Sequence, residues 1–228
     1  MAELAFLERA PAREPSGLLV LHHGRGTDER DLLPLADALD PQQRWHVVTP
    51  RAPLTLAGSA GHHWYLVPRV GTPDPETFHA ARASLAAFHD ELWQRTGITP
   101  ERTILGGFSM GAVMSYALGL DVDRPSPAGI LAFSGFIPSV DGWDPDIAGR
   151  AGLPVLIAHG RRDPVIEIGF GRSARERLGA GGLAVEYHES DVAHGIDPAV
   201  LPAAASWLAR RLGATPADGA GAGESGSA

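Results

Sequence analysis

Ser109, Asp163 and His194 are a set of side chains able to cleave an acyl bond. A serine hydroxyl is a weak nucleophile until an imidazole takes its proton. That imidazole works best when a carboxylate fixes its tautomer and stabilises its charged form. The segment Gly107-Phe108-Ser109-Met110-Gly111 matches Gly-x-Ser-x-Gly, the pattern of a nucleophile elbow. The spacing has a physical reason: a serine standing proud on a strained turn needs neighbours without Cβ atoms. A helix starting directly after it aims free N–H groups and its positive dipole end at the reacting oxygen. The chain order Ser…Asp…His is the one used by hydrolases with this elbow.

Other candidates fit less well. His159 also ends an apolar run, but it precedes Asp163 by four residues and would act from the same loop as its own orienter, so it ranks second. His22 and His23 come early and suit packing roles, and His188 falls inside a predicted strand. Asp144 and Asp146 sit in a polar loop, and Asp191 is too close to His194 to orient it across a site. His62 and His63 are adjacent, so their rings point apart and make a poor zinc pair. Gly24 and Gly26 supply two glycines of a dinucleotide fingerprint, but Glu29 occupies the third place, where close helix–strand packing wants a small residue. That loop instead suits an oxyanion hole formed by the backbone N–H groups of Arg25 and Met110.

These residues need elements to carry them. Leu18-Leu19-Val20-Leu21, Thr103-Ile104-Leu105, Ala128 to Phe133 and Leu153 to Ala158 are continuous apolar runs, as in parallel strands buried on both faces. Trp45 to Thr49 and Leu183 to His188 read as further strands, and Leu4 to Leu7 as a short edge strand. Between them, Leu32, Leu33, Leu35, Ala36 and Leu39 recur at helical spacing after Asp28, a candidate cap. Phe78, Ala81, Leu85, Phe88 and Leu92 do the same across Pro75 to Thr96. Helices are also expected at 168–178 and 198–212. Strands alternating with helices imply an α/β domain, a mostly parallel central sheet with helices on both faces. Catalytic residues then gather at the carboxyl ends of the strands. Residues 50–75 form a long loop with aromatic content, in which Trp64 is expected as a pocket wall. Residues 1–213 are read as the catalytic domain and 214–228, rich in Gly, Ala and Ser, as a disordered tail.

Composition narrows the chemistry. The 228 residues suffice for one domain with a substantial core. There is no cysteine and no lysine; all 19 basic residues are arginine. Thiolate nucleophiles, thiolate zinc sites, lysine Schiff bases and a P-loop lysine are thereby ruled out. A net charge of −8 with no basic stripe gives no footprint for nucleic acid. No apolar run is long enough to span a bilayer, and no secretory start is evident, so the cytoplasm is the default.

Taken together, Leu21-His22-His23-Gly24-Arg25-Gly26, the elbow, His159-Gly160 with Asp163-Pro164-Val165, and Ala193-His194-Gly195 resemble the phospholipase/carboxylesterase family of α/β-hydrolases, over roughly residues 16–212. The resemblance implies a single-domain α/β-hydrolase with no large lid, acting on short- to medium-chain acyl esters through an acyl-serine. It implies catalytic residues at Ser109, Asp163 and His194 and oxyanion N–H groups at Arg25 and Met110. Trp64 and Phe136 are the expected substrate-binding residues. No metal or organic cofactor is expected; the partner is a small acyl ester or thioester, and a homodimer stays open. The family's thioesterases usually carry Gln at the Met110 position and Leu at the Arg25 position, which bears on thioester specificity but spares both backbone N–H groups. An acyl-thioesterase or lysophospholipase is the alternative within the class, a peptidase or C–C bond hydrolase a more distant one. A non-catalytic hydrolase-like binding protein is the alternative outside it.

Overall fold

The computed structural model describes residues 4–211. A seven-stranded sheet runs in the order β1-β3-β2-β6-β7-β8-β9, where β1 is Phe6–Arg9, β2 Gly17–His22, β3 Trp45–Pro50, β6 Thr103–Phe108, β7 Gly129–Phe133, β8 Pro154–Gly160 and β9 Ala184–Ser190. All neighbours pair in parallel except β1, which runs antiparallel to β3 at the edge. Its register lies two residues later than the apolar run suggests, and Arg9 at its end pairs with Asp37 and Asp40.

The central strands are apolar throughout because both faces are covered. Leu18 and Val20 of β2 point into one core and Leu19 and Leu21 into the other; Leu105 and Ile104 of β6 divide the same way. Helices α2 (Pro75–Thr96) and α3 (Met110–Gly119) pack on the first face with α4 (Ile168–Ala180). Helices α1 (Leu33–Leu39) and α5 (Leu201–Ala209) pack on the second. Asp74 caps α2 by accepting from Thr77 N, and Gly97 closes it in the left-handed region.

Three local details differ from the sequence reading. Asp28 does not cap α1; its Oδ1 accepts from Arg30 N in a tight turn, and α1 begins after Leu32 with Pro34 in its first turn. Residues 50–75 are not loop throughout: β4 (Leu54–Thr55) and β5 (His62–His63) form a small antiparallel hairpin. The last helix opens as a 3₁₀ turn at Pro198–Val200. The expected tail, 214–228, lies outside the described residues. Among those residues, no helix is long and apolar enough to cross a membrane.

Strand order reverses at β2. From it the chain passes through α1 to β3 on one side, while β6 lies on the other and leads through α3 to β7. The crevice at such a switch point, beyond the carboxyl ends of β2 and β6, is where open α/β sheets place their ligands.

Candidate active site

Ser109 sits at that crevice with φ 55° and ψ −120°, between the end of β6 and the first residue of α3. This is a strained backbone for a residue with a Cβ. It is held by a bond from Ser109 N to the Phe133 carbonyl (2.8 Å) and by close packing of its neighbours. A Cβ on Gly107 would lie 2.5 Å from the Gly111 carbonyl carbon, and one on Gly111 would lie 1.9 Å from the His22 carbonyl oxygen. Both glycines of the pattern are therefore steric requirements of the turn.

Two later loops bring up the other groups. His194 Nε2 lies 2.9 Å from Ser109 Oγ, and His194 Nδ1 lies 2.7 Å from Asp163 Oδ2. Asp163 is itself fixed, because its Oδ1 accepts from Val165 N (2.8 Å) and Ile166 N (2.9 Å). The His194 loop is anchored by Ser134 Oγ donating to the Gly195 carbonyl at 3.2 Å, and by the Arg162 N–H on the Val192 carbonyl at 3.1 Å. The Phe108 ring packs at 4.9 Å, centroid to centroid, against the His194 imidazole. With Nδ1–H donating to the carboxylate, Nε2 is left bare to accept the serine proton.

His159 approaches the same carboxylate, with Nε2 3.6 Å from Asp163 Oδ2, but that nitrogen donates to the Ile166 carbonyl at 2.8 Å. Burial pushes its pKa below the ordinary imidazole value. It stands beside the carboxylate as a neutral packing group, and its ring does not meet Ser109.

The loop after β2 carries Arg25. Gly26 N is occupied by the His62 carbonyl at 2.8 Å, and His62 N in turn bonds the Thr27 carbonyl at 2.8 Å. The N–H groups of Arg25 and Met110 meet no backbone or side-chain acceptor among the described residues, and both residues line the crevice beside Ser109. Glu29, in the place of the third glycine, holds Arg51 by two short bonds, and that contact pulls its pKa to about 2. An ion pair thus stands where a dinucleotide loop would need its third glycine.

Trp64 does not line the pocket, contrary to expectation. It is fully buried, with Nε1 donating to the His23 carbonyl at 2.9 Å and its ring against His22 and His23, so it anchors the loop to the core. Its neighbours His63 and Tyr65 face the cleft instead. The cleft measures about 700 Å³. Phe136, the other residue expected at the substrate, lines the cleft, with Phe170 packed behind it at 5.4 Å. Val70 and Ile166 add apolar wall, and Leu66, Val67 and Val165 form an exposed apolar rim.

A buried polar relay lies beneath the elbow. Ser115 Oγ donates to the Gly111 carbonyl (3.0 Å), His22 Nδ1 donates to Ser115 Oγ (2.9 Å), and His89 Nε2 donates to His22 Nε2 (3.4 Å). These directions require the His22 ring to be neutral, since its Nε2 accepts. Burial pushes the His22 pKa well below its ordinary value and that of His89 to about 3.

This fold and crevice place the chain in the α/β-hydrolase class. The model of the phospholipase/carboxylesterase family matches residues 7–212. Acyl-protein thioesterase 1 of Debaryomyces hansenii is 31% identical over 139 residues, which span 57% of this chain and 59% of that protein. Lysophospholipase-like protein 1 of Mus musculus is 28% identical over 181 residues, 75% of this chain and 74% of its own length. Among solved structures, esterase PE8 superposes with a TM-score of 0.79 at 29% identity, covering 92% of this chain and all of that one. The chain belongs to the phospholipase/carboxylesterase family and is a hydrolase of the serine type.

Proposed function

We propose that the protein hydrolyses carboxylic esters of short- to medium-chain acyl groups through an acyl-serine intermediate. The observation that carries this reading is the hydrogen-bond chain from Ser109 Oγ through both nitrogens of His194 to Asp163 Oδ2, at the floor of a largely apolar cleft. Ser109 Oγ attacks the ester carbonyl while its proton passes to His194 Nε2. The carbonyl oxygen, now negative, receives the N–H groups of Arg25 and Met110. Collapse of the tetrahedral species expels the alcohol, which takes the proton from His194. Water then enters, gives a proton to the same nitrogen, and attacks the acyl-serine to release the acid. Phe136, Val70 and Ile166 take the acyl chain.

The same sequence of steps cleaves a thioester, the activity in the name of the Debaryomyces hansenii relative. A panel of aryl esters and acyl thioesters from two to twelve carbons separates the two readings by kcat/KM. In wild type, a fluorophosphonate should label Ser109, and Ser109→Ala should remove both labelling and turnover while the protein stays folded. A folded wild type that neither labels nor turns over would mark a binding protein.

A further inference from the structure

We propose that the physiological ester carries a carboxylate, and that the guanidinium of Arg25 recognises it. The proposal rests on the esterase reading above and names the substrate class of that same site.

Arg25 is exposed, and it lines the cleft that holds Ser109 and His194. Its side chain meets no carboxylate and no carbonyl among the described residues. The carboxylates nearest in sequence are engaged elsewhere. Asp28 pairs with Arg30, Glu29 with Arg51 and Arg30, and Asp31 accepts from Thr27 Oγ1. Of the residues lining the cleft, none is an Asp or Glu. The one carboxylate at the site, Asp163, is buried and fully used by His194 and two backbone N–H groups. In a chain with net charge −8, a cleft with a cation and no acid on its walls is a local reversal of sign.

Arg25 is also held in place. Hydrogen bonds at Gly26 and Thr27 fasten the loop to His62, and Gly61 packs so closely that a Cβ there would lie 2.1 Å from the Gly26 carbonyl oxygen. The guanidinium therefore swings from a fixed backbone beside Ser109, and the N–H of Arg25 is one of the two assigned to the scissile carbonyl oxygen in the esterase reading. An anion within one arginine side chain's length of that carbonyl would meet it. The planar fork matches a carboxylate in two parallel hydrogen bonds. Phe136, Val70 and Ile166, which line the same cleft, accept the apolar remainder.

The carboxylate can ride on the acyl half or on the alcohol half, and one experiment distinguishes them. In the first arm, kcat/KM for aryl hemisuccinate and hemiadipate is compared with aryl butyrate and hexanoate. In the second, 4-carboxyphenyl butyrate is compared with 4-carbamoylphenyl butyrate. Wild type should favour the charged ester about tenfold in one arm at low ionic strength, and the ratio should shrink with added salt. Arg25→Leu should bring that ratio near one, Arg25→Lys should keep part of it, and Arg25→Glu should push it below one. Because the ratio is taken within each enzyme, any change in rate common to both esters cancels. Ratios near one in both arms for wild type, or a wild-type ratio untouched by Arg25→Leu, overturn the inference and leave the esterase reading standing. Absence of turnover on every ester overturns both.

Discussion

Replacing Asp163 by Asn tests the assignment of roles with little disturbance of the fold. Oδ1 of Asp163 accepts two backbone N–H bonds, from Val165 and Ile166, so an asparagine must place its carbonyl oxygen there. Its NH₂ then faces His194 Nδ1, where Oδ2 now sits at 2.7 Å. The imidazole can satisfy that donor only by moving its proton to Nε2, the nitrogen 2.9 Å from Ser109 Oγ. A protonated Nε2 cannot accept the serine proton. Geometry survives and the tautomer is wrong, a fault that costs about 10⁴-fold in kcat in serine proteases, or about 5 kcal/mol of barrier. Asp163→Asn should therefore lose roughly four orders of magnitude in aryl-ester kcat. Its melting temperature should stay within about 2 °C of wild type, since both backbone bonds are kept. The rate of fluorophosphonate labelling should fall in parallel. Activity within tenfold of wild type in a folded Asp163→Asn would refute the role given to this carboxylate.

Two further expectations concern the scaffold. Gly111→Ala puts a Cβ 1.9 Å from the His22 carbonyl oxygen and 2.6 Å from that of His23, both backbone atoms that cannot turn aside. It should cost about 3 kcal/mol or more and lower the melting temperature by roughly 6–12 °C, with loss of turnover. Gly169→Ala, exposed in α4 with no atom outside its own helix turn within 4 Å of the added Cβ, should leave turnover unchanged and the melting temperature equal or slightly higher; equal behaviour of the two variants would refute the close-packing argument. Stability should also fall with acid through the buried imidazoles. His22 and His89 are neutral in the folded protein, their pKa values pushed below the ordinary 6.5, that of His89 to about 3. Below pH 6.5 the unfolded chain binds the protons the folded chain refuses, so each ring removes up to about 1.4 kcal/mol per pH unit as pH falls. Denaturant titrations between pH 7 and 5, above the carboxylate range, should show this slope, and His89→Leu should make it shallower. A flat stability across that window would contradict neutral buried rings.

Much of the architecture is legible in the chain because its physics is local. The apolar runs of β2, β6, β7 and β8 mark strands covered on both faces, and the three- and four-residue steps of α2 delimit that helix at Pro75 and Thr96. Ser109 and Asp163 each follow the end of an apolar run, and His194 follows the last expected strand, so the three fall at one edge of the sheet. Where the reading differs, one side-chain chemistry serves two structures or a period is too short to register. An aspartate oxygen accepts a backbone N–H equally in a helix cap and in a turn, so Asp28 is ambiguous. Two-residue strands such as β4 and β5 leave no alternation to detect. Trp64 carries both an apolar ring and an N–H donor, which suits a pocket wall as well as a buried anchor. Only the backbone position of the His23 carbonyl decides between them. The partners that fix Asp163, the N–H groups of Val165 and Ile166, are backbone atoms, which residue type does not reveal.

Pre-steady-state hydrolysis of 4-nitrophenyl butyrate, quenched in acid and followed by intact mass and peptide mapping, tests the central claim most directly. A butyryl adduct on Ser109, formed at the rate of nitrophenol release and absent from Ser109→Ala, is the predicted result. A stoichiometric burst of nitrophenol with no adduct on Ser109, or an adduct on another residue, would contradict it.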